Sequence, residues 1–157
     1  MTNNSNFAPG VLKNFLRLSA ILTGYEEYEL MGTGMLEEYY AELVRIIGTR
    51  ETSSLFSALD KVAGGDTAEF RRTILNDSRY GPVARNVAAM WFLGTWSQLP
   101  RDWRNRYGAM SHDNDHVVSA TAYREGLVWP ASGTHPMGAK QPGFASWATP
   151  PKGMGTP

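Results

Sequence analysis

Apolar residues recur at spacings of three and four through the first two thirds of the chain, and this period predicts amphipathic helices. The first predicted helix covers residues 11–22 and stops at Gly24. The second follows Thr33, its expected N-cap, and keeps a wide apolar face until Gly48. The pattern therefore places two helices, each ended by a glycine, in the first third of the chain.

Three more helices are predicted by the same reasoning. The third covers residues 52–63, and Asp66 then opens a short helix through Leu75, because Asp-x-x-Glu has the form of a capping box. The most apolar helix begins at Pro82, since proline suits the first helical position. Six apolar residues of this helix and of the segment just after it are expected in the core: Val83, Val87, Met90, Trp91, Phe92 and Trp96.

The sequence predicts an all-α fold, a compact bundle of about five helices over residues 1–126. No stretch alternates convincingly with period two, although residues 117–123 suit a short strand as well as a helical turn. After Glu125 there is no acidic residue, and six of the nine prolines fall there. Because prolines at this density disfavour both helix and central strand, residues 127–157 are predicted to form an extended arm.

Charge and composition exclude several functions. Lys and Arg together number 15, as do Asp and Glu, so no net field draws the chain to nucleic acid or to an anionic membrane. With no cysteine, the chain has no disulfide, thiolate nucleophile or iron–sulfur ligand. No apolar run is long enough to span a membrane, and the first residues lack the pattern of a signal peptide. The sequence as written predicts a cytoplasmic protein.

One polar cluster, SHDNDH, invites a metal interpretation. His112 and His116 are four residues apart, so a helix would place both rings on one face, with Asp113 and Asp115 nearby as further ligands. The alternative is a solvated loop, because Asp-Asn-Asp favours a turn and an arginine-rich loop is expected just upstream at residues 101–106. In that case Asp113 caps the segment that follows it.

The arm LVWPASGTHPMGAKQPGFASWATPP carries three large aromatic side chains. Burying one such ring removes about 150–250 Å² from water, which stabilises by roughly 4–6 kcal/mol at most. A small helical domain offers little surface for all three, so wrapping of a partner is favoured over folding back on the chain's own helices. The residues expected to bind that partner are Trp129, His135, Pro136, Lys140, Phe144 and Trp147.

Three segments carry a family resemblance: FLRLSAILTGY (15–25), MWFLGTW (90–96) and VVSATAYREGLVWPASGTHPMGAKQPGFASWATPP (117–151). Together they resemble the small subunit of membrane-associated FAD-dependent sorbitol, fructose and glucose dehydrogenases. The resemblance implies a helical, non-catalytic subunit without a cofactor of its own. Its partner would be a large glucose-methanol-choline type oxidoreductase that holds FAD and oxidises an alcohol or a sugar.

The family's complexes often add a cytochrome c subunit, and the small subunit often carries a twin-arginine signal. No such signal is present here, so the periplasmic location typical of the family stands as the alternative to the cytoplasm. Two other functions remain open at this point. One is a free-standing divalent-metal protein using His112 and His116, and the other is a generic helical adaptor.

Overall fold

The computed structural model describes residues 7–62 and 64–136, which form an all-α fold as predicted. The helices are α1 (Pro9–Thr23), α2 (Glu27–Gly32), α3 (Leu36–Asp60), α4 (Thr67–Phe70), α5 (Gly81–Leu93), α6 (Arg101–Tyr107), α7 (Ala120–Glu125) and α8 (Val128–Ser132). A π-helical turn, Arg71–Leu75, continues α4. Strands β1 (Thr95–Trp96) and β2 (His116–Val117) pair antiparallel in a two-stranded ladder.

The core lies where α1, α3 and α5 pack against one another. Phe15, Tyr39 and Trp91 are buried there, with ring centroids 6.4 Å apart for Phe15–Trp91 and 4.9 Å for Tyr39–Trp91. Burial raises the pKa of the Tyr39 hydroxyl, and the negative charges of Glu38 and Glu125 add to the effect. Five of the six residues expected in the core are buried, whereas Phe92 is only partly buried.

One short helix, α6, occupies a segment that was predicted as a loop, and another, α2, lies where no element was predicted. The segment predicted as an arginine-rich loop forms helix α6. Trp103 and Tyr107 are four residues apart and give this helix an apolar face. The Trp103 indole also donates to the Arg79 carbonyl at 2.7 Å. Helix α2 starts with a reciprocal capping box between Glu26 and Glu29. Its presence also corrects the role of Thr33, which follows α2 and donates its hydroxyl to the Leu30 carbonyl instead of capping α3.

The prediction of an extended arm from residue 127 is wrong for Val128–Ser132, which form α8. Pro130 is tolerated because the first N–H groups of a helix have no intrahelical acceptor, so the missing donor costs nothing there. Leu127 is buried, and its N–H donates to the Trp91 carbonyl at 2.9 Å. The packed body therefore continues past residue 126, while residues 137–157 lie outside the described part of the chain.

Gly48 interrupts α3 where the sequence predicted a helix end. Its φ of 81° and ψ of 166° are a conformation that only glycine adopts readily. The break leaves the Ile46 carbonyl free to accept the Met110 N–H at 2.8 Å. A conformational feature inside α3 thus anchors the distant loop that carries the histidines.

Replacing Gly48 by alanine is expected to lower the free energy of unfolding by about 1–3 kcal/mol, because a side chain is strained at this φ and ψ. The added Cβ would lie 3.3 Å from Met110 Cε, a flexible atom that can move aside, so backbone strain dominates. Urea denaturation measures the loss. An unchanged midpoint would show that the interruption is not required for stability.

Candidate functional site

The loop after α6 carries His112 of the polar cluster and ends at His116, the first residue of β2. Asp113 is its anchor: the carboxylate is 5% exposed and accepts the Trp96 indole N–H at 2.9 Å and the Leu99 N–H at 3.0 Å. Asp115 accepts the Gln98 N–H at 2.7 Å. Both acids are therefore used to hold the loop, and neither joins the two histidines in a group of possible metal ligands. The prediction that Asp113 caps the segment that follows is wrong, because its carboxylate accepts from Trp96 and Leu99, which precede it in the chain.

The two histidines come together although they are not on a helix. Their ring centroids are 4.7 Å apart, with the ring planes inclined by 59°. Both Nε2 atoms approach the same oxygen, Oε1 of Glu42, which is 3.0 Å from His112 Nε2 and in close contact with His116 Nε2. Glu42 is only 4% exposed. One carboxylate and two imidazole nitrogens thus converge at the edge of the core.

A backbone contact at Nδ1 sets the orientation of the His116 ring. Its Nδ1 lies 2.6 Å from the Asn114 carbonyl oxygen, a contact in which the ring nitrogen donates. Strand β2 contributes as well, because His116 is paired with Trp96 in the ladder. The Nε2 edge of the ring is therefore held toward Glu42.

Arg45 is the positive group of this cluster. Its Nη1 lies 3.4 Å from His112 Nε2, and its Nη2 lies 3.9 Å from Glu42 Oε2. The Arg45 side chain is 61% exposed, so its attraction for Glu42 is screened by water. The guanidinium is therefore a water-exposed neighbour of the cluster.

The cluster opens into a cleft of about 530 Å³ between α3 and the histidine loop. Three carboxylates face one guanidinium in this cleft, so its potential is negative when both rings are neutral. Its lining residues are Glu37, Glu38, Ala41, Glu42, Arg45, His112, His116, Val117 and Val118. The cleft therefore favours a cation.

Sequence reasoning found the two histidines but missed Glu42. A usable signal was present: Glu42 follows Tyr39 by three residues and precedes Ile46 by four, which places it on the apolar face of α3. A carboxylate on a buried face needs a partner, because a buried unpaired charge is strongly unfavourable. The identity of that partner was not readable from the spacing.

A second surface surrounds the point where the described chain ends. Trp129 is half-buried, donates its indole N–H to the Tyr123 carbonyl at 2.8 Å and packs edge-on against the Tyr123 ring at 5.5 Å. His135 is exposed and Pro136 is buried. Together with α2 and α7 they border a groove of about 480 Å³, called here the C-terminal groove. Its lining residues are Tyr25, Glu29, Gly32, Thr33, Arg124, Glu125, Gly126, Leu127, Trp129, Pro130, Thr134, His135 and Pro136.

Three of the six predicted partner-binding residues, Trp129, His135 and Pro136, are thus brought together in the C-terminal groove. The other three, Lys140, Phe144 and Trp147, lie outside the described residues. Helices α2 and α7, which border the groove, also expose large apolar side chains: Tyr28 is 70% exposed, Met31 53% and Tyr123 38%.

Within residues 7–62 and 64–136, no helix has the length and apolar character needed to cross a bilayer. Comparisons of this chain with protein-family models, with curated proteins and with solved structures found no match.

Proposed function

We propose that this chain is the accessory small subunit of a heteromeric FAD-dependent dehydrogenase. Its partner is a large glucose-methanol-choline type oxidoreductase that oxidises a sugar, a polyol or another alcohol. In this proposal FAD and the catalytic groups belong to the partner, and a cytochrome c subunit is a further component. The family resemblance in three segments of the sequence is the origin of the proposal.

The observation that carries it is the C-terminal groove. Leu127 is bonded to the end of α5, and residues after it line this groove, where Trp129 and His135 remain accessible. The exposed rings of Tyr28 and Tyr123 lie on the helices that border it. Clusters of exposed apolar and aromatic side chains are typical of protein interfaces.

The packing of Leu127 changes how the arm should be tested. A chain cut after Gly126 would lose the Leu127 side chain and its hydrogen bond to Trp91, so loss of binding would be confused with loss of folding. A chain ending at Pro136 keeps every described contact. It removes only residues 137–157, with Lys140, Phe144 and Trp147.

The chain ending at Pro136 is expected to keep its helical circular dichroism and its melting temperature but to bind the large subunit about 1,000-fold more weakly. Phe144 and Trp147 are the proposed anchors there, and two hot spots at about 2 kcal/mol each correspond to that factor. Copurification of the tagged chain from its source organism, with mass spectrometry and FAD absorption, identifies the partner. Titration of the purified partner then measures the affinity.

Two point variants provide a matched comparison. Tyr28→Arg, beside the C-terminal groove, should weaken the complex. Ile21→Arg should not weaken it. Ile21 is also an exposed apolar residue, but it lines a different groove, with Leu59 and Phe70. A large subunit that is soluble, FAD-loaded and fully active without this chain would contradict the proposal, as would equal binding by the chain ending at Pro136.

Cell fractionation of the complex distinguishes a cytoplasmic from a periplasmic location.

A further inference from the structure

We propose that Glu42, His112 and His116 bind a divalent transition-metal ion, for which Zn²⁺ is the best fit, with a fourth coordination position open to the cleft. The convergence of both Nε2 atoms on one buried carboxylate is the feature that points to it. The inference is independent of the subunit role, since it concerns a site on this chain alone.

The spacing of the donor atoms suits a tetrahedral ion. The three ligand atoms lie within 4.8 Å of one another, and His112 Nε2 is 3.0 Å from Glu42 Oε1. Ligands 2.0–2.1 Å from zinc at tetrahedral angles are roughly 3.3 Å apart. Seating the ion requires His116 Nε2 and Glu42 Oε1 to move apart from their present close contact until both reach this separation.

The chemistry of the donors agrees with the geometry. Two imidazoles and one carboxylate form a set that zinc uses in sites that keep a fourth position open. His116 donates Nδ1–H to the Asn114 carbonyl, the arrangement by which a metal-binding histidine is oriented and made more basic. With that hydrogen on Nδ1, the neutral ring presents its Nε2 lone pair to the position that both other ligands face.

Electrostatics favours a cation at this point. A close contact between an imidazole nitrogen and a carboxylate oxygen requires either a hydrogen or a metal ion between them. A hydrogen on His116 Nε2 in addition to the one on Nδ1 would make the ring a cation, whereas a divalent ion supplies the positive charge with the ring neutral. Arg45, being largely exposed, can withdraw into water, and Glu37 and Glu38 add negative charge at the rim.

The site is held in place before any ion binds. Asp113 and Asp115 fix the histidine loop from within, and the Met110 N–H is tied to the Ile46 carbonyl, one turn beyond Glu42 on α3. Preorganised ligands lose little conformational entropy on binding. A bound ion would connect α3 directly to this loop and so stabilise the folded chain.

The test is a titration of the purified full-length chain, stripped with a chelator, with Zn²⁺ alone by calorimetry. Co²⁺ serves as a spectroscopic probe for tetrahedral coordination. We expect one ion per chain and a rise in melting temperature of roughly 5–10 °C at an excess of 100 times the dissociation constant. His112→Ala and His116→Ala should each weaken binding by roughly 100-fold or more, since even indirect supports of a metal site are worth 10–100-fold.

The third histidine is the matched control. His135→Ala removes an exposed imidazole that lies outside the cleft and should leave the affinity unchanged. Circular dichroism checks that each variant is folded. If a histidine variant loses its helical signal, the affinity of Glu42→Gln for Zn²⁺ and the Co²⁺ spectrum of the unaltered chain show whether the site binds metal. Absence of stoichiometric binding, or binding that survives loss of His112 and His116, would overturn the proposal. Partner binding is scored separately, so failure here leaves the subunit proposal standing.

Discussion

Gly94→Ala is expected to lower the free energy of unfolding by about 2–5 kcal/mol, because strain and collision act together. Gly94 ends α5 with φ 68° and ψ 24°, and a Cβ there would lie 2.6 Å from the Ala122 carbonyl carbon and 2.7 Å from its oxygen. These are backbone atoms of α7, and the Val118 N–H, two residues before that helix, donates to the Gly94 carbonyl at 2.8 Å, which holds the two segments close together. Calorimetry should show a fall in melting temperature of roughly 5–15 °C.

Gly24→Ala is the matched control for this collision. Gly24 ends α1 in the same way, with φ 75° and its N–H bonded to the Ala20 carbonyl at 2.9 Å. Within the described residues, however, no atom beyond its immediate chain surroundings lies within 4 Å of the position of its Cβ. It should cost about 1 kcal/mol, because only the left-handed backbone is unfavourable. Equal losses in the two variants would mean that the close approach of α7 to α5 contributes nothing.

Asp113→Ala is expected to cost about 2–5 kcal/mol. The substitution leaves the buried Trp96 indole N–H and the Leu99 N–H without an acceptor, and each such donor costs about 1–3 kcal/mol. Because Asp113 also holds the loop between His112 and His116, Zn²⁺ binding should weaken in the same variant. Urea denaturation and metal titration measure the two effects.

Asp115→Ala is the control that separates the effect of losing buried hydrogen bonds from the effect of losing a negative charge in the loop. Asp115 sits two residues away and accepts a single bond, from the Gln98 N–H, at an exposed position. Its loss should cost about 1 kcal/mol, since water replaces the missing acceptor. A loss as large as that of Asp113→Ala would show that loop charge, and not the buried hydrogen bonds, stabilises this region.

The long helices were predictable because their signals are local. The apolar period of α1, α3 and α5 repeats over several turns, and the end of α1 at Gly24 and the interruption of α3 at Gly48 follow from backbone freedom at those residues. Helices α2, α6 and α8 were missed because five to seven residues are too few to show a period. They are held by particular partners instead, such as the Arg79 carbonyl that accepts from Trp103.

The candidate metal centre was also predictable only in its local part. The sequence by itself determined an all-α fold and drew attention to two histidines four residues apart, because period and spacing report local geometry. Only the tertiary structure decided which carboxylate they meet. The acids between them in the chain, Asp113 and Asp115, face other backbone groups, whereas Glu42, 70 and 74 residues away, shares their cleft. The physical reason is burial: packing of the histidine loop on α3 takes Glu42 out of water, and a carboxylate in that position requires a partner that no local pattern can name.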